Sequence, residues 1–309
     1  MKLRIIVALL ALLPATARPQ SGAALFLGLP ADARPAGMGG GGVALHGGAF
    51  SIFHNPAALP FTTARWSVGV GRAPYLRALL PGGSLNAAGA TLRVSKRGNM
   101  AAGFRYRSHP TAEARDNNTG IVGEIRPAEW AAEVAYAHLL PAGLGLSVTA
   151  RYTRLYNGYR AKEALGIDAG MYYRETFSGD GGTWAVAFHA GNLGSKIDRA
   201  YLPARAALGG SVILPVARGA LLGSLDLAYT FLPARAAHLE TAAGMEYSLR
   251  WWSLRAGYRA GGGSKGMDNH ASIGGSLRAS TVACHVAYWI TSPSSALRDT
   301  WHLSVEFSW

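Results

Sequence analysis

The segment Trp301-His302-Leu303-Ser304-Val305-Glu306-Phe307-Ser308-Trp309 alternates without a break, apolar or aromatic at odd positions and polar at even ones. In a strand, successive side chains point to opposite faces. One face is therefore Trp, Leu, Val, Phe, Trp, and the other His, Ser, Glu, Ser. No sequence follows to cover that apolar face, so lipid is the expected cover. The same alternation recurs along the chain. Leu144, Leu146, Val148, Ala150 and Tyr152 interleave with Gly145, Ser147, Thr149, Arg151 and Thr153, and Trp252, Leu254, Ala256 and Tyr258 with Ser253, Arg255, Gly257 and Arg259. Charges keep to one parity and aromatics, often at segment ends, to the other. Segments of roughly ten residues with girdle aromatics are the pattern of a transmembrane β-barrel.

Candidate strands fall at 65–71, 88–95, 99–107, 128–138, 143–154, 163–174, 182–191, 204–214, 219–231, 237–248, 251–259, 269–279, 281–290 and 300–309. Their number is even, as a closed barrel with both ends on the periplasmic side requires. Long gaps (72–87, 108–127, 155–162, 192–203, 232–236, 260–268, 291–299) alternate with short ones such as 96–98, 139–142, 215–218 and 249–250. The gap 175–181 breaks the rule. The expected fold is all-β, a 14-stranded antiparallel transmembrane barrel over 65–309 in the bacterial outer membrane, against outer-membrane lipid and lipopolysaccharide.

The start of the chain supports export. Lys2 and Arg4 precede an apolar run from Ile5 to Leu13, then Pro14 and Ala15-Thr16-Ala17, which reads as a signal peptide over 1–17. No stretch reaches the ~20 apolar residues of a transmembrane helix. One cysteine, Cys284, excludes a disulfide framework and a thiolate metal cluster. The net charge of +13 is spread singly over turns and alternate strand positions, without the block that nucleic acid would select, so an anionic membrane surface is the better partner.

The inward parity carries both signs of charge, including Arg105, Arg151, Asp168, Glu240, Arg255 and Glu306. Buried charges persist when paired, so these six are expected in a lumen network of ion pairs. His302, Ser304 and Glu306 share one face, but alternate strand residues stand ~7 Å apart and no nucleophile elbow is present. The nine histidines show no ligand spacing. No enzyme, cofactor or metal is expected.

Residues 18–64 leave the period-2 pattern. They contain Asp32-Ala33-Arg34-Pro35-Ala36-Gly37-Met38-Gly39-Gly40-Gly41-Gly42-Val43-Ala44 and then Asn55-Pro56-Ala57-Ala58-Leu59. Gly37, Gly39 and Gly42 satisfy a dinucleotide fingerprint formally, but the strand before, the helix after and the later acidic residue are missing. A glycine run also lets backbone pass where a Cβ would clash, which suits a plug inside the barrel, with Gly37, Gly39, Gly40, Gly42, Asn55 and Pro56 as its motif.

These segments resemble the start of the PorV/PorQ family, itself similar to FadL-type barrels. Further matches follow in order: Gly191-Asn192-Leu193-Gly194, Tyr201-Leu202-Pro203-Ala204-Arg205, His238-Leu239-Glu240, Gly244-Met245-Glu246-Tyr247, Leu254-Arg255-Ala256-Gly257-Tyr258 and the aromatic last strand. The resemblance implies a barrel with an N-terminal hatch in the type IX secretion system. Its partners would be secretion-system proteins or exported cargo. The alternative is a FadL-like conduit for hydrophobic small molecules, which needs a lateral gap beside a kinked strand, for which Gly209-Gly210, Gly274-Gly275 or Pro203 are the candidates.

Overall fold

The structure is a computed structural model that describes residues 23–74, 82–116, 120–177, 181–197, 200–261, 267–295 and 297–309. The expected signal peptide lies outside them. Among the described residues there are eighteen strands. β1 (Trp66–Pro74), β2 (Ser84–Arg93) and β3 (Gly98–Ser108) are followed by a small hairpin, β4 (Ala112–Asp116) and β5 (Gly120–Ile125). Next come β6 (Ala128–Leu139), β7 (Leu144–Tyr156), β8 (Ala161–Thr176) and β9 (Thr183–Gly194), then the two-residue pair β10 (Lys196–Ile197) and β11 (Ala200–Tyr201). β12 (Arg205–Val216), β13 (Gly219–Thr230), β14 (His238–Ser248) and β15 (Trp252–Gly261) lead to β16 (His270–Ala279), β17 (Val282–Ile290) and β18 (Trp301–Ser308).

Fourteen of these, all but β4, β5, β10 and β11, form one closed antiparallel barrel. Each strand pairs with its neighbours along the chain, and β1 closes on β18 from Ser67↔Ser308 to Arg72↔Leu303. The alternation has the anticipated consequence. Ile167 is 57% exposed to the lipid side, whereas the adjacent Asp168 is 1% exposed and faces inward. Aromatic rows mark the two membrane interfaces. Phe104, Trp130 and Tyr152 pack in sequence near one end, with centroids 5.8 and 5.3 Å apart. Tyr173–Trp184 and Tyr247–Trp252 do so near the other.

The short turns 94–97, 217–218, 249–251 and 280–281 lie at the end where β1 begins and β18 finishes, which is the periplasmic end of such a barrel. The longer connections, among them 109–127, 195–204 and 291–300, lie at the outer end. The connection 157–160 is shorter than expected because β7 and β8 continue past the lipid zone. Arg154 and Glu163, 3.6 Å apart, pair on the outside of that extension. The sheet does not kink at Gly209-Gly210 or Gly274-Gly275, where ladder pairing continues on both sides. The irregularity sits in β8–β9 instead, between Ile167 and Ala169.

Candidate functional site

The lumen is occupied by the chain's own N-terminal part. The Ala23 amide donates to the Tyr201 carbonyl in an outer connection. Ala24, Phe26, Leu27 and Leu29 pack against Leu85, Ala131, Ala164, Ile197 and Leu202 inside the outer half. The chain then descends through a short helical turn, Ala33–Ala36, and the glycine run to a 3-10 helix, Pro56–Phe61, near the periplasmic end.

Wall side chains hold this backbone directly. Both Gly42 and Val43 amides donate to Asp226 Oδ2, at 2.6 and 2.9 Å. The Gly39 amide donates to Ser272 Oγ at 2.9 Å, Ala33 to Ser304 Oγ at 3.1 Å and Ala49 to Glu306 Oε1 at 2.9 Å. Trp289 Nε1 donates to the Ala36 carbonyl at 3.1 Å. Bonds from amides to carboxylates are the stronger kind. Each leaves a backbone group satisfied that would otherwise be buried without a partner.

The plug motif explains the approach. Gly39 and Gly40 have φ of +72° and +77°, a region natural to glycine. A Cβ on Gly257 of the wall would overlap the backbone of Met38 and Gly39. Gly37 passes the wall glycine Gly274 closely enough that an added Cβ would lie 3.3 Å from its Cα. Asn55 is a hub: its Nδ2 donates to the Val43, Met171 and Phe188 carbonyls at 3.2, 3.1 and 3.4 Å, and its Oδ1 accepts the Ala57 amide. Pro56 takes the first helical position, where its missing N–H costs nothing.

The six expected lumen charges fall into separate groups. Arg105, Arg151 and Asp168 come together through Glu133. Arg105 Nε donates to Glu133 Oε1 at 2.9 Å, and Arg151 forks onto Asp168 at 3.1 and 2.5 Å while reaching Glu133 at 3.1 Å. Asn192, turned inward by the β8–β9 irregularity, completes this group. Its amide donates to Asp168 Oδ1 at 2.7 Å, and its side chain bonds Arg151 and the Pro203 carbonyl. Glu240 pairs with Arg259 at 2.5 Å, and Arg255 with Glu246, which also holds Arg34 of the plug at 3.0 Å. Glu306 departs from the expected ion-pair network. It accepts the Ala49 amide and the Ser308 hydroxyl because the plug supplies backbone amides there. Its face-mates are likewise engaged, Ser304 with Ala33 and His302 packed against Trp289 with ring centroids 4.7 Å apart. Arg34, Asp32 and His54 were invisible to the strand period because they belong to the plug. Asp32 and His54 pair at 2.7 Å. Asn192 had a signal, the Gly191–Gly194 motif.

Two spaces remain. One is a cavity of about 60 Å³ among Arg105, Arg151, Asp168, Asp226, Glu240 and Arg259. The other is a vestibule of about 450 Å³ between plug and wall at the periplasmic end, lined by Arg34, His46, Phe61, Arg174, Arg278 and Glu306, among others. The His46 imidazole is held down to about 3, chiefly by the Arg34 guanidinium, with Arg278 and Arg174 contributing.

The sequence over residues 15–213 matches the family model described as type IX secretion system protein PorV. A search of curated protein sequences finds no match. Among solved structures, the toluene transporter TodX of P. putida is similar, with TM-score 0.57 and 14% identity over 91% of this chain and 98% of that one. The toluene transporter TbuX of Ralstonia pickettii gives TM-score 0.58 and 13% identity, over 90% and 96%. At such identity these likenesses describe the fold.

Proposed function

The chain belongs to the PorV family of type IX secretion system proteins, and from that premise we propose that it works as a closed docking barrel that binds partner or cargo proteins at its two ends. It is an outer-membrane β-barrel of that secretion system. The observation that carries the docking reading is the filled lumen. The plug is bonded to the wall through Asp226, Ser272, Ser304 and Glu306, and the space left beside it in the outer half is a cavity of about 60 Å³, separate from the vestibule at the periplasmic mouth. What such a barrel offers to other molecules is its ends and its rigidity.

The test is a pull-down of the tagged barrel from native outer membrane with mass spectrometry. Secretion components and exported proteins are expected in the eluate. Replacing the outer connections 109–127 or 195–204 should remove some of them while the barrel keeps its folded electrophoretic mobility.

A second reading takes its support from the fold neighbours described as toluene transporters, and makes the barrel a conduit for hydrophobic small molecules. A passage would require the plug to leave bonds spread along its length. On the lipid side, an apolar groove of about 450 Å³ between Val70, Ala88, Phe104 and Leu303 is backed by continuous β1–β2 and β1–β18 ladders. Recovery of the barrel alone, with fatty-acyl molecules in the extract, would favour the conduit over docking.

A further inference from the structure

The periplasmic vestibule differs from the rest of the lumen in carrying charge that nothing answers. Arg174 on β8 and Arg278 on β16 reach it from well-separated strands. Among the described residues, neither makes an ion pair with an acidic side chain. Arg174 lies over the Phe61 ring at 5.5 Å, within the ~6 Å reach of such contacts. The acids nearby are engaged elsewhere: Asp32 by His54, Glu246 by Arg34 and Arg255, Glu306 by the Ala49 amide. Around the mouth, Arg65, Lys96, Arg97, Arg218 and Arg250 stand exposed in or beside the short turns. A basic rim leading into a basic recess concentrates anions and raises their rate of encounter.

We propose that this vestibule receives an acidic polypeptide segment presented from the periplasm, with Arg174 and Arg278 gripping its carboxylates. Its volume of about 450 Å³ lies in the ~300–1,000 Å³ range of ligand pockets and exceeds what a lone phosphate fills. It opens inside the barrel wall, away from the leaflet where lipid headgroups lie. Thr91 and Thr281 add hydroxyls to its lining, able to bond peptide backbone. The inference rests on the protein-docking reading and names the chemistry of one partner.

The experiment is fluorescence anisotropy of a dye-labelled hexa-aspartate peptide, with hexa-asparagine as control, titrated with the full-length barrel in neutral detergent. Native protein should bind the acidic peptide at least about tenfold more tightly than the control. Arg174→Gln with Arg278→Gln should weaken it about tenfold, and Arg174→Lys with Arg278→Lys should retain most of the affinity, all with native heat-shifted mobility on gels. Equal binding by native protein and the Gln variant overturns the proposal. So does displacement of the peptide by millimolar inorganic phosphate, which would mark a free-anion site, or its loss in nanodiscs containing phosphatidylglycerol, which would mark a lipid site. The two readings fail separately. If the Gln variant pulls down the same secretion proteins as native barrel, docking stands and the vestibule site falls. If the peptide binds as expected but the pull-down recovers no protein, the site stands and the docking reading falls.

Discussion

The outer half of the lumen and its periplasmic mouth share one wall, with arginines, acids and hydroxyls on the inward parity, yet they are filled in opposite ways. In the outer half, Arg105, Glu133, Arg151 and Asp168 satisfy one another, and the remaining cavity is about 60 Å³. At the mouth, Arg174 and Arg278 face about 450 Å³. Inward charge in a barrel is thus a sign neither of a pore nor of packing. What decides is whether plug or wall brings a partner. A charge deep in the lumen requires one, because an unpaired buried ion is costly. A charge at the mouth is solvated from the periplasm and can wait for a ligand.

Placing the same substitution at both ends tests that contrast. Arg151→Gln is expected to have the largest effect, since it leaves Asp168 buried without its arginine and Glu133 with Arg105 alone, at a cost of ~3–5 kcal/mol. It should appear as a clear drop in the temperature at which the folded band converts on gels. Native behaviour would mean that charge pairing does not hold the outer half. Gly257→Val comes next. Its side chain must displace Met38 and Gly39, costing ~1–3 kcal/mol, and it should raise conductance in planar bilayers above that of the native barrel. Asn55→Ala removes the amide that the Val43 carbonyl of the plug shares with the Met171 and Phe188 carbonyls of the wall, and a loss of ~1–3 kcal/mol is expected in the same unfolding assay. Arg278→Gln should be the mildest, within about 0.5 kcal/mol of native stability, while still weakening acidic-peptide binding. A large destabilisation there would show that the mouth is packed like the outer half.

The wall was legible in the sequence because lipid outside and polar groups inside impose period 2 on every strand. All fourteen expected barrel strands are present, and the largest displacement is in β2, expected over 88–95 and found at Ser84–Arg93. Around Asn86-Ala87-Ala88 the outward side chains are small or polar, so the alternation fades. The hairpin β4–β5 was not anticipated, since it stands outside the barrel, where the lipid constraint does not act. The glycine motif announced close approach but not its partners. Gly42 meets Asp226 across 184 residues and Ala33 meets Ser304 across 271, and no local pattern encodes such pairs. The vestibule escaped notice for a related reason. Arg278 shares the parity of the inward Ser272 on β16, but its lack of an acidic partner among the described residues is a property of where the plug stops.

The Ala23 amide rests on an outer connection, and the chain enters β1 at the opposite end. A single polypeptide therefore runs the length of the lumen before the wall begins, like a thread already through the bead. Proteins avoid drawing a chain end through a closed loop. The simplest order of assembly wraps the sheet around its filling and zips β1 to β18 last. The six residue pairs from Ser67↔Ser308 to Arg72↔Leu303 are then the final stitch, and whatever machinery inserts this chain handles an open, curled sheet with its contents already in place.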